Sequence, residues 1–331
     1  GLVIQDKERN QYVWVEVPKT LYDDESYNTE TTNGDKKPNP GEVYTEDDYN
    51  NIEYCLKKYT ADYSNSNYKD IYAEDTTIQN GWFAGDSEYN TAKQKMLKSV
   101  YENGGFWVGR YEAGIENESD VRTRNKEGIA TVPSLIPVTK QNAYPYNYVT
   151  RTQAKVLAER VGGENYTSSL MFGIQWDLVL KYIEEKTVDN AKEEDKDTIR
   201  TNIKKALTST SYYNNEYIGN YRNNLWNITN DKAKYSTNSG NDFTACPYRK
   251  SSSEDVLLTT GAGKSFLLMN IYDIAGNVWE WTLEFYNVSG SSVFNGGCCV
   301  YDVYSGPANA RYGAANGRSD VYIGFRIGLW N

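Results

Sequence analysis

Two adjacent cysteines, Cys298 and Cys299, stand near the start of the stretch NGGCCVYDVYSGPANARYGAANGRSDVYIGFR (residues 295–326), and thiol chemistry is the first function such a pair suggests. Sequence neighbours rarely bridge, because a disulfide at that separation is strained. A reactive thiolate needs a nearby cation or a helix N-terminus to lower its pKa, and the surrounding sequence signals neither. The pair therefore reads as inert, with Cys298 buried as a small hydrophobe and Cys299 turned outward. The other cysteines, Cys55 and Cys246, form no CxxC pair and no zinc spacing. Histidine is absent from all 331 residues. An imidazole base, a Ser/His triad and a His-ligated metal are thereby excluded.

Other chemical candidates fall to simpler readings. TTGAGKS (residues 259–265) resembles a phosphate-binding loop, but the glycine required five residues before the Gly-Lys pair is replaced by Leu258. It reads as a turn. Asp177 and the neighbouring Glu184 and Glu185 are carboxylates on a helical pattern, where acids usually solvate an exposed face. Asn277 and Glu280 in IAGNVWEW could offer oxygens to a hard cation, yet two oxygens fall short of a calcium shell. An Asn-stabilised turn is the simpler reading. No cofactor is expected, with a structural calcium ion left open.

Composition narrows the partners. Apolar residues make up 39%, and the deficit is filled by 30 Tyr together with Asn and Ser, enough aromatic area to bury a core rather than remain disordered. Against 35 basic residues stand 45 acidic ones, a net charge of −10. That balance argues against nucleic acid or an anionic membrane as partner. No apolar run reaches membrane-spanning length, and the opening GLVIQDKERNQYVWVEV lacks the form of a signal peptide.

The elements that must position these residues follow from periodicity. A hairpin opens the chain, with Tyr12, Trp14 and Glu16 on one face and Val13, Val15 and Val17 on the other. Polar composition over 23–42 marks a long loop. Helices are expected from Thr45, over 91–102 up to Gly104-Gly105, from Thr150 with Gln153 in capping-box spacing, through SSLMFGIQWDLVLKYIEE, and over 198–207. FWVGRYEAG reads as a strand. Beyond Phe266, short apolar runs between glycines suit a compact antiparallel sheet, in which Trp279 and Trp281 point inward. The whole reads as one α+β domain over 1–331, with polar insertions at about 21–90 and 186–264.

The order FWVGRYEAG, SLMFGIQWDLV, IYDIAGNVWEWT, then NGG leading to IGFR, resembles the formylglycine-generating enzyme (sulfatase-modifying factor) type of C-type lectin fold. The resemblance implies a single mixed domain with much irregular backbone. It also implies copper-binding and catalytic cysteines shortly after the Gly296-Gly297 pair, where this chain has Tyr301 and Gly306. Neither side chain can be a thiolate or a soft-metal ligand, so the fold is expected without the enzyme activity.

The C-terminal segment is more similar to the variable proteins of diversity-generating retroelements, which share this fold. There, template adenines are randomised, turning AAC codons into NNC codons that cannot encode Lys, Glu, Gln, Met or Trp. None of those five residue types occurs over 298–322. The resemblance implies a fixed frame of Asn295, Gly296, Gly297, Pro307, Ala308, Arg311 and 323–326. Arg311 and Arg326 are expected among acids and carbonyls. The variable ligand-binding set would be Cys298, Cys299, Tyr301, Asp302, Tyr304, Ala310, Tyr312, Gly313, Ala314, Ala315, Asp320, Val321 and Tyr322, with Cys299, Asp302, Asp320 and the tyrosines sharing one exposed face. Tyr suits such a role, offering large contact area at low entropic cost. The implied partner is a protein or glycan on a cell surface, met from a phage tail or a bacterial surface. A formylglycine-generating-type oxidase and an ordinary carbohydrate-binding lectin are the alternatives.

Overall fold

The computed structural model describes residues 1–331 except positions 33, 79–80, 125–127, 164–165, 211 and 289, and except the side chains at 122–124 and 210. Its main helices are α1 (Glu46–Tyr59), α2 (Asp86–Asn103), α3 (Arg151–Glu159), α4 (Gly173–Thr187) and α5 (Lys196–Lys205). The expected caps are present. Thr45 and Asp48 form a capping box on α1, Thr150 and Gln153 form one on α3, and Gly104 ends α2 in the left-handed conformation at φ 72°. Each box satisfies backbone N–H groups that the first helical turn leaves without partners.

Two sheets carry the core. Strands β1 (Val3–Gln5), β2 (Gln11–Glu16), β3 (Gly105–Gly109) and β4 (Thr167–Leu170) belong to the first; β5 (Trp279–Tyr286), β6 (Ser291–Asn295), β7 (Arg311–Ala314) and β8 (Ile323–Phe325) form the second. The last strand, β9 (Ile327–Trp330), returns to the first sheet between β3 and β4. The first sheet is antiparallel throughout, in the order β1-β2-β3-β9-β4. In the second, β7-β6-β5-β8, the pair β5–β8 is parallel, which departs from the purely antiparallel expectation. The reason is that β8 arrives from the long loop after β7 rather than from a tight hairpin.

Two further expectations are corrected. The helix read through SSLMFGIQW begins only at Gly173, because Ser168, Ser169 and Leu170 pair with β9 as a strand. Asp70 then accepts hydrogen bonds from the N–H groups of Gly173 (2.7 Å) and Ile174 (2.9 Å), fixing where α4 starts. Glu184 does not solvate an exposed face: it is buried and accepts a hydrogen bond from the Tyr63 hydroxyl at 2.9 Å. Among the described residues, no helix is long and apolar enough to cross a membrane.

Arg326 is the single residue between β8 and β9, at the point where the chain leaves one sheet for the other. Its buried guanidinium donates to both carboxylate oxygens of Glu280 on β5 (3.0 and 2.6 Å), to the carbonyl of Gly109 on β3 (3.0 Å) and to the carbonyls of Tyr272 and Asp273 (2.9 and 3.2 Å). One side chain thus ties both sheets, and each of its three guanidinium nitrogens has an acceptor. Arg326→Ala should cost about 3–5 kcal/mol, the usual penalty for stranding one member of a buried ion pair. Glu280→Gln in the same background should recover part of it. Equilibrium denaturation measures both, and an unchanged midpoint in the single variant contradicts the assignment.

Candidate ligand-binding face

The segment from Gly296 to Arg326 is pinned at three places. At the first, Gly296 and Gly297 have φ values of 92° and 76°, and a Cβ on Gly297 would lie 2.0 Å from the carbonyl oxygen of Gly306. Only glycine permits that approach. At the second, the carbonyl of Ala308 accepts from the Trp176 indole of α4 (2.9 Å), and Ala310 N–H turns back to Pro307 (2.8 Å). The third is the strand pair β5–β8, extended by Trp279 N–H to the Tyr322 carbonyl (2.8 Å).

Arg311 holds the middle of this frame. Its guanidinium donates to Asp177 on α4 (2.6 Å), to Glu284 on β5 (2.8 Å) and to the Tyr63 carbonyl (3.0 Å), with only 2% of the side chain exposed. Asn295 and Thr282 donate to the second oxygen of Glu284 at 3.0 and 3.1 Å. The acids compete for one guanidinium. Both hold Arg311 firmly protonated, while burial, helped by the charge of Glu284, pushes Asp177 up to about 7 against the pull of Arg311. Asp70 is likewise raised, to about 6, first by burial and then by Glu284.

Between the pins, two loops project. The first exposes Tyr301, Asp302 and Tyr304; the second exposes Ala315, Gly317 and Arg318, with Asp320 and Tyr322 half-buried behind them. Tyr312 projects from β7, and its ring stacks on Phe294 of β6 at 5.6 Å and an interplanar angle of 13°. Tyr301 stands edge-on over Trp279 at 5.7 Å, and Tyr312 is 6.5 Å from the same indole. Trp279 and Phe294, both buried, are therefore the floor of an aromatic patch whose outer layer is Tyr301 (37% exposed) and Tyr312 (49% exposed). At its border, Arg318 pairs with Asp320 (3.2 Å), Arg222 makes a two-pronged pair with Asp255 (2.7 and 2.8 Å), and the Tyr322 hydroxyl lies 3.3 Å from the Ser239 hydroxyl.

The expected variable set divides accordingly. Tyr301, Asp302, Tyr304, Tyr312 and Ala315 are exposed, and Ala310, Gly313, Asp320 and Tyr322 are half-buried. Cys298, Cys299, Ala314 and Val321 are buried, contrary to their place in that set, although for Cys298 burial is what its reading as a small hydrophobe expected. Cys299 fails because its N–H bonds to the Asn277 carbonyl (3.0 Å), drawing the side chain into a small cluster with Leu257, Val278 and Val321. Cys298 and Ala314 belong to the main core. Tyr304, 75% exposed, does not join the aromatic patch. Phe294, Arg222, Asp255 and Ser239 escaped the sequence reading; they lie before the segment and reach it only through the fold.

Burial also settles the state of the thiols. All four cysteines are free and buried, with Cys298 pushed up to about 12 by desolvation and Cys299 held well above its usual value by the same burial. At the positions where the resemblance implied catalytic cysteines, Tyr301 is exposed and Gly306 is packed against Gly297 and Trp279. The oxygens considered for calcium are engaged: Asn277 Oδ1 accepts from Asn220 (3.0 Å) and Leu258 N–H (3.0 Å), and Glu280 is taken by Arg326. Among the described residues, no group of three or more Cys, Asp or Glu is arranged to hold a metal ion.

The sulfatase-modifying factor enzyme 1-like domain matches residues 139–328. The chain belongs to that family. Its fold is of the formylglycine-generating type. Similar solved structures include CarF (13% identity, TM-score 0.40, covering 69% of this chain and 87% of that one). PvdO from Pseudomonas aeruginosa shows 15% identity and a TM-score of 0.34 over 69% of this chain and 81% of its own. Treponema denticola variable protein 1 shows 12% identity and a TM-score of 0.32 over 69% and 85%. No curated protein matches the sequence.

The raised carboxylates give this family member an unusual pH response. An unfolded Asp titrates near about 3.9, so between about 4 and 7 the folded chain binds protons that the unfolded chain does not. Stability from Asp177 and Asp70 is fully present below that window and is lost as pH rises through it. Melting temperature should therefore rise on acidification from about pH 7.5 to 5.5, and Asp177→Asn should flatten the slope. A parent that melts lower at pH 5.5 contradicts the assignment.

Proposed function

We propose that the chain is a non-enzymatic binding protein whose recognition face is the patch of Tyr301 and Tyr312 with its border of Asp302, Arg318, Asp320 and Tyr322. The observation that carries this reading is the division of one segment into buried pins and outward side chains. Arg311, the Gly296-Gly297 turn and β8 hold the backbone, while the exposed side chains take no part in those hydrogen bonds and ion pairs. Loops held in this way are where binding surfaces can change without loss of fold. Large phenols over a rigid indole floor supply contact area with little entropy to lose.

The same division supports diversification by a retroelement, since the residue types that NNC codons cannot encode are missing from 298–322. On this reading the ligand is a protein or glycan on a cell surface, met by a chain displayed on a phage tail or a bacterial surface. Catalysis by relocated cysteines is disfavoured by the burial and raised pKa of Cys298 and Cys299.

The neighbouring DNA tests diversification directly. A near-identical template repeat beside a reverse transcriptase gene should place adenines at the codons of Tyr301, Asp302, Tyr312, Asp320 and Tyr322, and none at those of Pro307, Ala308 and Arg311. A template whose adenines fall equally on the frame codons contradicts the proposal. At the protein level, replacing Tyr301, Tyr312 and Tyr322 together with Ser should shift Tm by only a few degrees. A Cys-containing sulfatase peptide should remain unconverted in a mass-spectrometric assay, and thiol-dependent conversion would overturn the non-enzymatic reading.

A further inference from the structure

Tyr304 opens onto a different part of the surface, a groove of about 590 Å³ between the end of α5, the Tyr212–Tyr217 hairpin and the loop at Val303. That volume falls within the range of about 300–1,000 Å³ usual for small-ligand sites. Its wall is unusual in composition. Tyr212, Tyr213, Tyr217 and Tyr304 supply aromatic rings, and Asn214, Asn215 and Asn223 supply carboxamides. Lys205 is the one charged lining residue among those described, and no Asp or Glu lines the groove. In a chain with ten more acids than bases, an acid-free hollow is a local departure.

The hairpin is closed by a tight turn. Asn214 and Asn215 have φ values of 49° and 64° between paired strands Tyr212–Tyr213 and Glu216–Tyr217, the left-handed pair that a tight two-residue hairpin requires. The rings of Tyr212 and Tyr217 meet edge-to-face at 5.0 Å and 73°. A π-helical turn, Ala206–Thr210, leads from α5 into it, and its Leu207 carbonyl accepts from Asn309 N–H at 3.1 Å. Asn223 accepts from Val303 N–H at 3.2 Å through its side-chain oxygen. The groove is thus fastened on both sides to the frame that carries the recognition face.

From this wall we infer that the groove is a second ligand site, for a neutral or acidic saccharide. The C–H faces of pyranose rings stack on phenol rings, and their hydroxyls exchange hydrogen bonds with carboxamides that both donate and accept. Lys205 can meet a carboxylate substituent, whereas an ammonium would find no acid to pair with. A peptide fits poorly, because Val303 is the only aliphatic side chain of the lining among the described residues and the two-residue strands are too short a ladder to extend. The inference stands apart from the recognition face around Tyr301 and Tyr312, so the two can fail separately.

The test is a titration of the full chain with methyl pyranosides and short oligosaccharides of neutral, uronic-acid and amino-sugar type, read by saturation-transfer NMR. At least one neutral or uronic-acid sugar should bind at millimolar concentration or below. Tyr304→Ala and Tyr212→Ala, both at exposed positions and expected to keep the parent Tm, should each weaken it at least tenfold, while Tyr301→Ser leaves it unchanged. Three results overturn the inference: no sugar binds, the amino sugars bind best, or binding survives both groove variants. Loss of binding in Tyr301→Ser would move the site to the aromatic patch and overturn it as well.

Discussion

One guanidinium, that of Arg311, is shared by two buried acids, and the C-terminal segment is organised around that sharing. Asp177 comes from α4, Glu284 from β5 and Arg311 from β7, so a single charge cluster fixes the angle of a helix against the second sheet and sets the register of the edge strand. Leaving any member unpaired would strand a buried charge. Burial, with the charge of Glu284 beside it, appears as the raised Asp177. The Tyr68 hydroxyl then donates to the Arg311 carbonyl at 3.0 Å, extending the same anchor to the strand at Tyr68–Lys69.

With the backbone held from below, the outer side chains are relieved of structural duty in different degrees. Tyr304 and Asp302 make almost no demand on the core. Tyr301 and Tyr312 do contribute, because each covers part of Trp279 or Phe294. A recognition surface built this way has a graded tolerance: most permissive in the loops, less so over the indole. The buried Cys298, Cys299, Ala314 and Val321 lie at the ends of the loops where they rejoin the frame. Small size, rather than outward direction, is what these residues have in common.

Local signals in the sequence were legible where local physics decides. The Thr150–Gln153 box, the Gly104 terminator and the inward Trp279 and Trp281 follow from spacing alone. Expectations for Arg311 and Arg326 came from the family resemblance, and both lie among acids and carbonyls. Their partners were not readable, since Asp177 and Glu284 are remote in sequence. Residues 168–170 read as helix by periodicity but are claimed by β9, a contact no local window contains. The outward placement of Cys299 failed for the same reason: its N–H is taken by Asn277. The tyrosine groove did leave a sequence trace, an Asn-Asn pair between Tyr212-Tyr213 and Glu216-Tyr217, which is hairpin chemistry.

The central claim is that one continuous segment combines an intolerant frame with a permissive face. It is tested most directly by saturating each position from 298 to 322 and measuring the survival of every variant against protease under native conditions. Tyr301, Asp302, Tyr304, Ala315 and Asp320 should accept most residue types, whereas Cys298, Cys299, Gly306, Ala308 and Arg311 should accept few. Equal intolerance across both groups, or tolerance at Arg311 with loss at Tyr304, would contradict the account.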